Sequence, residues 1–181
     1  DPRNGEVLAL VSMPDYDPNT FVDRIDQEGW ESLANDEGEP LQNRVASGQY
    51  APGSIYKAVV AAAALAEDSA DPKRKIYCPG SFSHGGRVYH CWNRAGHGHV
   101  NLLEALARSC DVYFYRLGLE LGIDRLARYA RAFGMGEATG SRIAGERKGL
   151  VPTRAWKQRV KNEPWQPGET LSAAIGQGFN L

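Results

Sequence analysis

Long apolar runs are missing from this chain of 181 residues. The longest strictly apolar stretch, Ala58 to Ala66, falls far short of the roughly 18 residues a membrane-crossing helix needs. An excess of charge is missing too. With 21 Lys and Arg against 22 Asp and Glu the formal net charge is −1, which gives no electrostatic footprint for nucleic acid or for an anionic membrane surface. Cysteine is scarce and odd in number: Cys78, Cys91 and Cys110 do not suit a simple disulfide framework, which leaves one disulfide with a spare thiol, or a metal. Repeats, low-complexity tracts and a secretory segment are absent as well. The opening "DPRNGEVLALV" reads like the middle of a fold, and "AAIGQGFNL" closes the chain without a terminal element. The expectation is a fragment of a longer protein, with any membrane anchor outside it.

What is present is ordinary globular composition, 42% hydrophobic and 24% charged, in a chain long enough for one domain with a core. Residues 6–13, "EVLALVSM", follow Asn-Gly and predict a buried strand. "PDYDPNTF" is a turn-rich exit, and residues 22–40 predict short helix and loop. An apolar helix is expected over 54–66. Residues 67–99 carry all four histidines and two of the three cysteines with little periodicity, and read as a long functional loop. Helical patterns follow in "NLLEALARS", with Asn101 and Glu104 placed for a capping box, then in "VYFYRLGLELG", "IDRLARYARAFGMG" and "VPTRAWKQRVK", the last with Pro152 near its start.

Ser54 and Lys57 stand one helical turn apart where the first apolar helix begins, in "YAPGSIYKAV". A serine hydroxyl is a poor nucleophile until a neighbour takes its proton. Burial and the helix dipole both favour a neutral lysine amine that could do so, and amides at the helix start can hold an oxyanion. Ser54 as a helix cap beside a solvated Lys57 explains the tetrapeptide equally well. S-x-x-K alone arises by chance in roughly every few hundred residues.

A second element shifts the balance. "RSCDVYFY" places Ser109 and Asp111 in an S-x-D arrangement 55 residues after Ser54. S-x-x-K followed by S-x-N or S-D-N and later K-T-G is the motif set of β-lactamases and penicillin-binding proteins. With "NGEVLALVSMPDYDPNTF" and "IGQG", the chain resembles, along its whole length, the transpeptidase domain of class B penicillin-binding proteins, above all the elongation-specific penicillin-binding protein 2 group.

That resemblance implies an α/β fold of the penicillin-binding and β-lactamase type, a central antiparallel sheet with flanking helices and a helical subdomain. Residues 1–181 would be a partial domain, with a zinc-loop and serine-motif region at 67–111. Ser54 would attack the penultimate D-Ala carbonyl of a peptidoglycan stem peptide, or a β-lactam ring. Lys57 would be the base that activates it and Ser109 would relay protons toward the leaving group. Asp111 stands where most of the superfamily has Asn, and should hold Lys57 more firmly as a cation. Gly176, Gln177 and Gly178 would line the substrate cleft. The K-T-G strand of the family lies beyond "IGQG" and is not in these residues, so the chain by itself should be catalytically crippled. The family also implies a periplasmic catalytic domain anchored in the inner membrane, working with a glycosyltransferase of the elongation machinery. A serine β-lactamase and a β-lactam sensor are the alternatives, and the lifetime of the penicilloyl adduct separates enzyme from enzyme.

The thiols form a pattern: Cys78, twelve residues, Cys91, five residues, His97, twelve residues, Cys110. Three cysteines and one histidine are a common structural zinc set, although these spacings are wider than those of a zinc knuckle. The resemblance implies zinc at these four places, with cysteine where related chains carry aspartate at two of them. A Cys78–Cys91 disulfide and a buried free Cys110 are the other readings. His84 and His90 are expected in solvent, and His99 exposed or beside the metal ligands. Trp30, Trp92, Trp156 and Trp165 are expected to pack, with Trp92, next to Cys91, set apart by its position.

Overall fold

The computed structural model describes residues 1–22, 24–141 and 143–181. It divides into two compact units, Asp1–Gln49 with Gly140–Arg147, and Tyr50–Thr139 with Lys148–Leu181.

The first unit holds a short 3-10 turn, Pro18–Phe21, and helix α1, Gln27–Ala34. Asp26 caps α1 by accepting the Gly29 N–H at 2.8 Å, as the acidic stretch around 22–40 leads one to expect. The strand expected over 6–13 is not formed. Val7, Leu8 and Val11 are 69%, 77% and 70% exposed, and no ladder partner runs beside them among the described residues. A strand is stabilised by its neighbour, through backbone pairing and burial of a face, so an apolar β-branched run without one stays irregular. Ser12 is tied locally, donating to the Gln42 carbonyl and accepting the Arg44 N–H.

The second unit is mixed helix and antiparallel sheet, and it carries every residue singled out for chemistry. Helix α2, Lys57–Ala66, follows a 3-10 turn at Gly53–Tyr56. Four short strands come next: β1 Ile76–Cys78, β2 Ser81–His84, β3 Arg87–His90 and β4 Gly98–Val100. They pair as two two-stranded antiparallel ladders, β1 with β4 (Ile76 opposite Val100) and β2 with β3 (Phe82 opposite Tyr89). The region expected as a loop thus holds short paired strands between its turns, with the β2–β3 connection turning at Gly85-Gly86.

Helices α3 (Leu102–Ala107), α4 (Asp111–Leu121), α5 (Ile123–Ala132), α6 (Arg154–Lys161) and α7 (Pro167–Ala174) complete the unit. The Asn101–Glu104 capping box on α3 forms as the sequence indicates. Thr153 rather than Pro152 caps α6, with the proline just outside the helix. The alanines of α2 let it sit close to α4 and α5, so Val60, Ala63, Ala64, Val112, Phe114, Leu126 and Ala130 are all fully buried. Each large apolar side chain so buried contributes about 1.5–3 kcal/mol. Gly118 lets α4 and α7 meet: a Cβ there would stand 2.5 Å from the Ala174 Cβ. This close seat fixes the C-terminal end of α7, and with it residues 176–178.

Candidate active site

Ser54 does not serve as a helix cap. No side chain caps the 3-10 turn it sits in, and its Oγ instead accepts a hydrogen bond from Ser109 Oγ at 2.9 Å. The turn is positioned from the other side by α7: Gly53 N–H donates to the Gly176 carbonyl at 2.8 Å. Gly176 has φ +71, and a Cβ there would stand 2.1 Å from the Gly53 oxygen, so only glycine allows this approach.

Lys57 is 1% exposed. Its Nζ reaches three acceptors, Asp111 Oδ1 at 2.6 Å, Ser109 Oγ at 2.9 Å and the Ser109 carbonyl at 3.0 Å. Those three use every N–H of an ammonium. With the Asp111 carboxylate at contact distance, the geometry is that of an ion pair. The second oxygen of Asp111 accepts the Trp92 backbone N–H at 2.9 Å. Both carboxylate oxygens are thus occupied, the condition under which a buried pair is tolerated. The Phe114 ring lies 5.7 Å from Nζ.

Lys57 and Ser54 are therefore connected through Ser109, whose hydroxyl lies 2.9 Å from each. Hydroxyl protons rotate freely, so this chain can carry a proton from Ser54 toward Lys57 as well as the reverse. Ser109 itself has φ +51, the left-handed region. A non-glycine residue held there costs about 1–3 kcal/mol and persists only when its surroundings impose it. Here the turn after α3 supplies Ser109 N–H to Leu106 and Cys110 N–H to Ala105. Asp111 then opens α4, where a carboxylate also suits the helix dipole.

Ser54, Ser109, Asp111, Trp92 and Gln177 line one open cavity of about 420 Å³. Gly178 is not among its walls; of the "IGQG" residues, Ile175 and Gln177 line the cavity and Gly176 fixes the turn behind Ser54.

Cys78, Cys91, His97 and Cys110 come together, all buried, with their ligand atoms within 4.8 Å of one another. His97 presents Nδ1, 3.4 Å from Cys91 Sγ and 3.6 Å from Cys78 Sγ. Zinc–sulfur and zinc–nitrogen bonds of tetrahedral geometry imply a sulfur–nitrogen edge of about 3.6 Å, so the donor set fits that ion. All three cysteines are free thiols, so the disulfide reading of Cys78 and Cys91 is not realised. Burial pushes the Cys110 thiol up to about 12 and raises that of Cys91, while burial and the nearby Arg108 charge lower His97. The backbone wraps tightly around the group. A Cβ on Gly80 would stand 2.1 Å from the Arg94 oxygen, and one on Gly96 would stand 2.3 Å from the Cys78 oxygen.

The other histidines stay outside. His99 is exposed and packs against Tyr77, with ring centroids 5.1 Å apart, His90 is exposed, and His84 is half-buried beside Phe82. The sequence understates Trp92: its backbone and indole both hydrogen-bond to the serine turn, and only its place after Cys91 hints at this.

A buried lysine is linked to a helix-start serine through a second serine, so the S-x-x-K and S-x-D motifs meet in one site. The chain belongs to the penicillin-binding protein transpeptidase domain family, which it matches over residues 1–181. It is 42% identical to the peptidoglycan D,D-transpeptidase MrdA of Escherichia coli K12 over 181 residues, 99% of this chain and 29% of that protein. It superposes on Pseudomonas aeruginosa PBP2, solved in complex with WCK 5153, with TM-score 0.91 at 42% identity, covering 99% of this chain and 41% of that one. Helicobacter pylori PBP2 in complex with MreC gives TM-score 0.94 at 39% identity, covering 99% and 34%. The chain spans less than a third of the length of MrdA.

Proposed function

We propose that this chain carries the acylating part of a peptidoglycan D,D-transpeptidase of the elongation type, and that Ser54 is its nucleophile. The observation that carries the reading is the Lys57–Ser109–Ser54 hydrogen-bond chain, 2.9 Å at each link, opening on a cavity. Ser54 Oγ bonds to the penultimate D-Ala carbonyl carbon. Its proton passes to Ser109 Oγ, whose own proton moves to Lys57 once a lysine proton has shifted to Asp111 across the 2.6 Å contact. The peptide C–N bond breaks, the departing D-Ala amine takes a proton back along the same path, and an acceptor amine from a second stem peptide then displaces the acyl group from Ser54. A β-lactam amide opens in the same way and leaves the serine acylated. Gln177, on the cavity wall, would contact the stem peptide.

The Cys78, Cys91, His97 and Cys110 group would hold a structural zinc, which neutralises three thiolates and braces the serine turn from behind. The whole protein would act in the periplasm from the inner membrane, alongside a glycosyltransferase and a partner comparable to the MreC bound by the Helicobacter PBP2. No helix of the described residues is long and apolar enough to cross a membrane.

The test is acylation of the full-length protein by a fluorescent penicillin. A long-lived adduct that is absent in Ser54→Ala supports the reading. Rapid hydrolysis of the adduct would make the protein a β-lactamase instead.

A further inference from the structure

Trp92 is 64% exposed, an unusual position for an indole, on the wall of the Ser54 cavity. It is nevertheless tied down at every polar atom that it can offer as a donor. Its backbone N–H donates to Asp111 Oδ2 at 2.9 Å, and its indole Nε1–H donates to the Arg108 carbonyl at 3.0 Å. Its ring stands edge-on to His97, centroids 5.4 Å apart. Arg108 and Asp111 are the residues on either side of Ser109–Cys110. One residue therefore grips both ends of the turn that holds Ser109 at φ +51. The α3 hydrogen bonds fix where that turn begins, the His97 ring meets the Arg108 backbone from the buried side, and the indole holds the Arg108 carbonyl from the cavity side.

We propose that Trp92 is a positioning residue for acylation: its indole N–H holds the Arg108 carbonyl so that Ser109 Oγ stays between Ser54 Oγ and Lys57 Nζ. The inference rests on the reading of Ser54 as the acylated nucleophile. An exposed ring beside a nucleophile could instead serve as a platform on which a ligand stacks. The two roles act on different constants. A platform stabilises the noncovalent complex and the transition state alike, so its loss weakens binding. A misplaced relay leaves binding intact and slows the chemical step.

The experiment is stopped-flow acylation of the full-length protein by a fluorescent penicillin, resolving the dissociation constant of the first complex from the first-order acylation constant. Trp92→Phe keeps a ring on the cavity wall and the backbone N–H to Asp111, and removes only the indole donor. Its first-order constant should fall roughly three- to tenfold, the worth of one hydrogen bond, with the dissociation constant held within about twofold. Trp92→Ala should lose at least as much. Metal content and Tm are measured alongside, and rates are scaled to the folded, metal-loaded fraction. An unchanged first-order constant in Trp92→Phe, a loss confined to the dissociation constant, or a loss that vanishes on scaling overturns the proposal. Absence of any adduct on the wild-type protein removes the nucleophile reading itself. An adduct on wild type with an indifferent Trp92→Phe removes only the role of the tryptophan.

Discussion

Cys110 and Asp111 are adjacent in the chain and look in different directions, the thiol into the cluster with His97 and the carboxylate onto Lys57 at 2.6 Å. The buried cysteine cluster and the ion pair of the active site thus share a single peptide unit, and a change in either is felt by the other.

Removal of the cluster should therefore be visible in folding and in chemistry. We expect one zinc per chain by native mass spectrometry, and none in Cys91→Ala or Cys110→Ala. Tm should drop by about 4 °C or more, the shift that ~1–2 kcal/mol brings in a chain of this size. A metal-free wild type with unaltered Tm in both variants would sink the zinc assignment.

Ser109 can be separated into its hydroxyl and its backbone. Ser109→Ala and Ser109→Gly both break the proton path and should slow penicillin acylation by about 10²–10⁴-fold, the usual worth of a positioned proton-transfer group. They should differ in stability, because glycine accepts φ +51 and alanine does not. Urea midpoints should place the glycine variant about 0.5–1 kcal/mol above the alanine variant. Equal midpoints would mean that the left-handed turn stores no strain.

At Gly176 a methyl group collides with backbone, 2.1 Å from the Gly53 oxygen. Gly176→Ala should cost about 1–3 kcal/mol in urea unfolding and slow acylation, because Gly53 carries Ser54 with it when it moves. Gly178→Ala has the same backbone difficulty at φ +72 but meets only the Ser172 Cβ at 3.4 Å, so its loss of stability should be smaller.

Acid should act through Glu67. The Tyr129 hydroxyl at 2.8 Å, followed by the charges of Arg128 and Arg125, holds its carboxyl below the usual carboxylate range. A depressed carboxylate stabilises the fold above its unfolded value, about 4.3, and that contribution fades as pH falls through the lower folded value. Glu67→Gln should therefore lower Tm at pH 7, with the difference from wild type closing below about pH 4. A gap that persists unchanged at pH 3 would show that the ion pairs are not its source.

The site was more legible in the sequence than the fold around it. Ser54 and Lys57 are read from helical spacing, Ser109 and Asp111 from the motif set of the family the chain resembles, and the cysteine–histidine set from its residue chemistry together with that resemblance. Strands did not read so well. β1 to β4 are three or four residues each, too short for alternation to show, while "EVLALVSM" has the composition of a strand but no ladder partner among the described residues. Helix α7 was passed over although Pro167 and Glu169 stand at its first turn, in the positions of a proline start and a capping box. The sequence offers Ser109 as a relay toward the leaving group, but not its place between Lys57 and Ser54, which depends on a left-handed residue that only the folded turn specifies.

Gly118 has a consequence for how the cleft can vary. Helix α4 starts with Asp111 and α7 runs into Gly176, so the two helices carry opposite edges of the notch in which Ser54 sits, and they touch where a Cβ would come within 2.5 Å of Ala174. A contact with no side-chain slack behaves as a fixed gauge. The spacing of α4 and α7 is set at Gly118, a residue outside the cavity lining, so a single methyl group added there would shift the cavity walls without altering any residue that forms them.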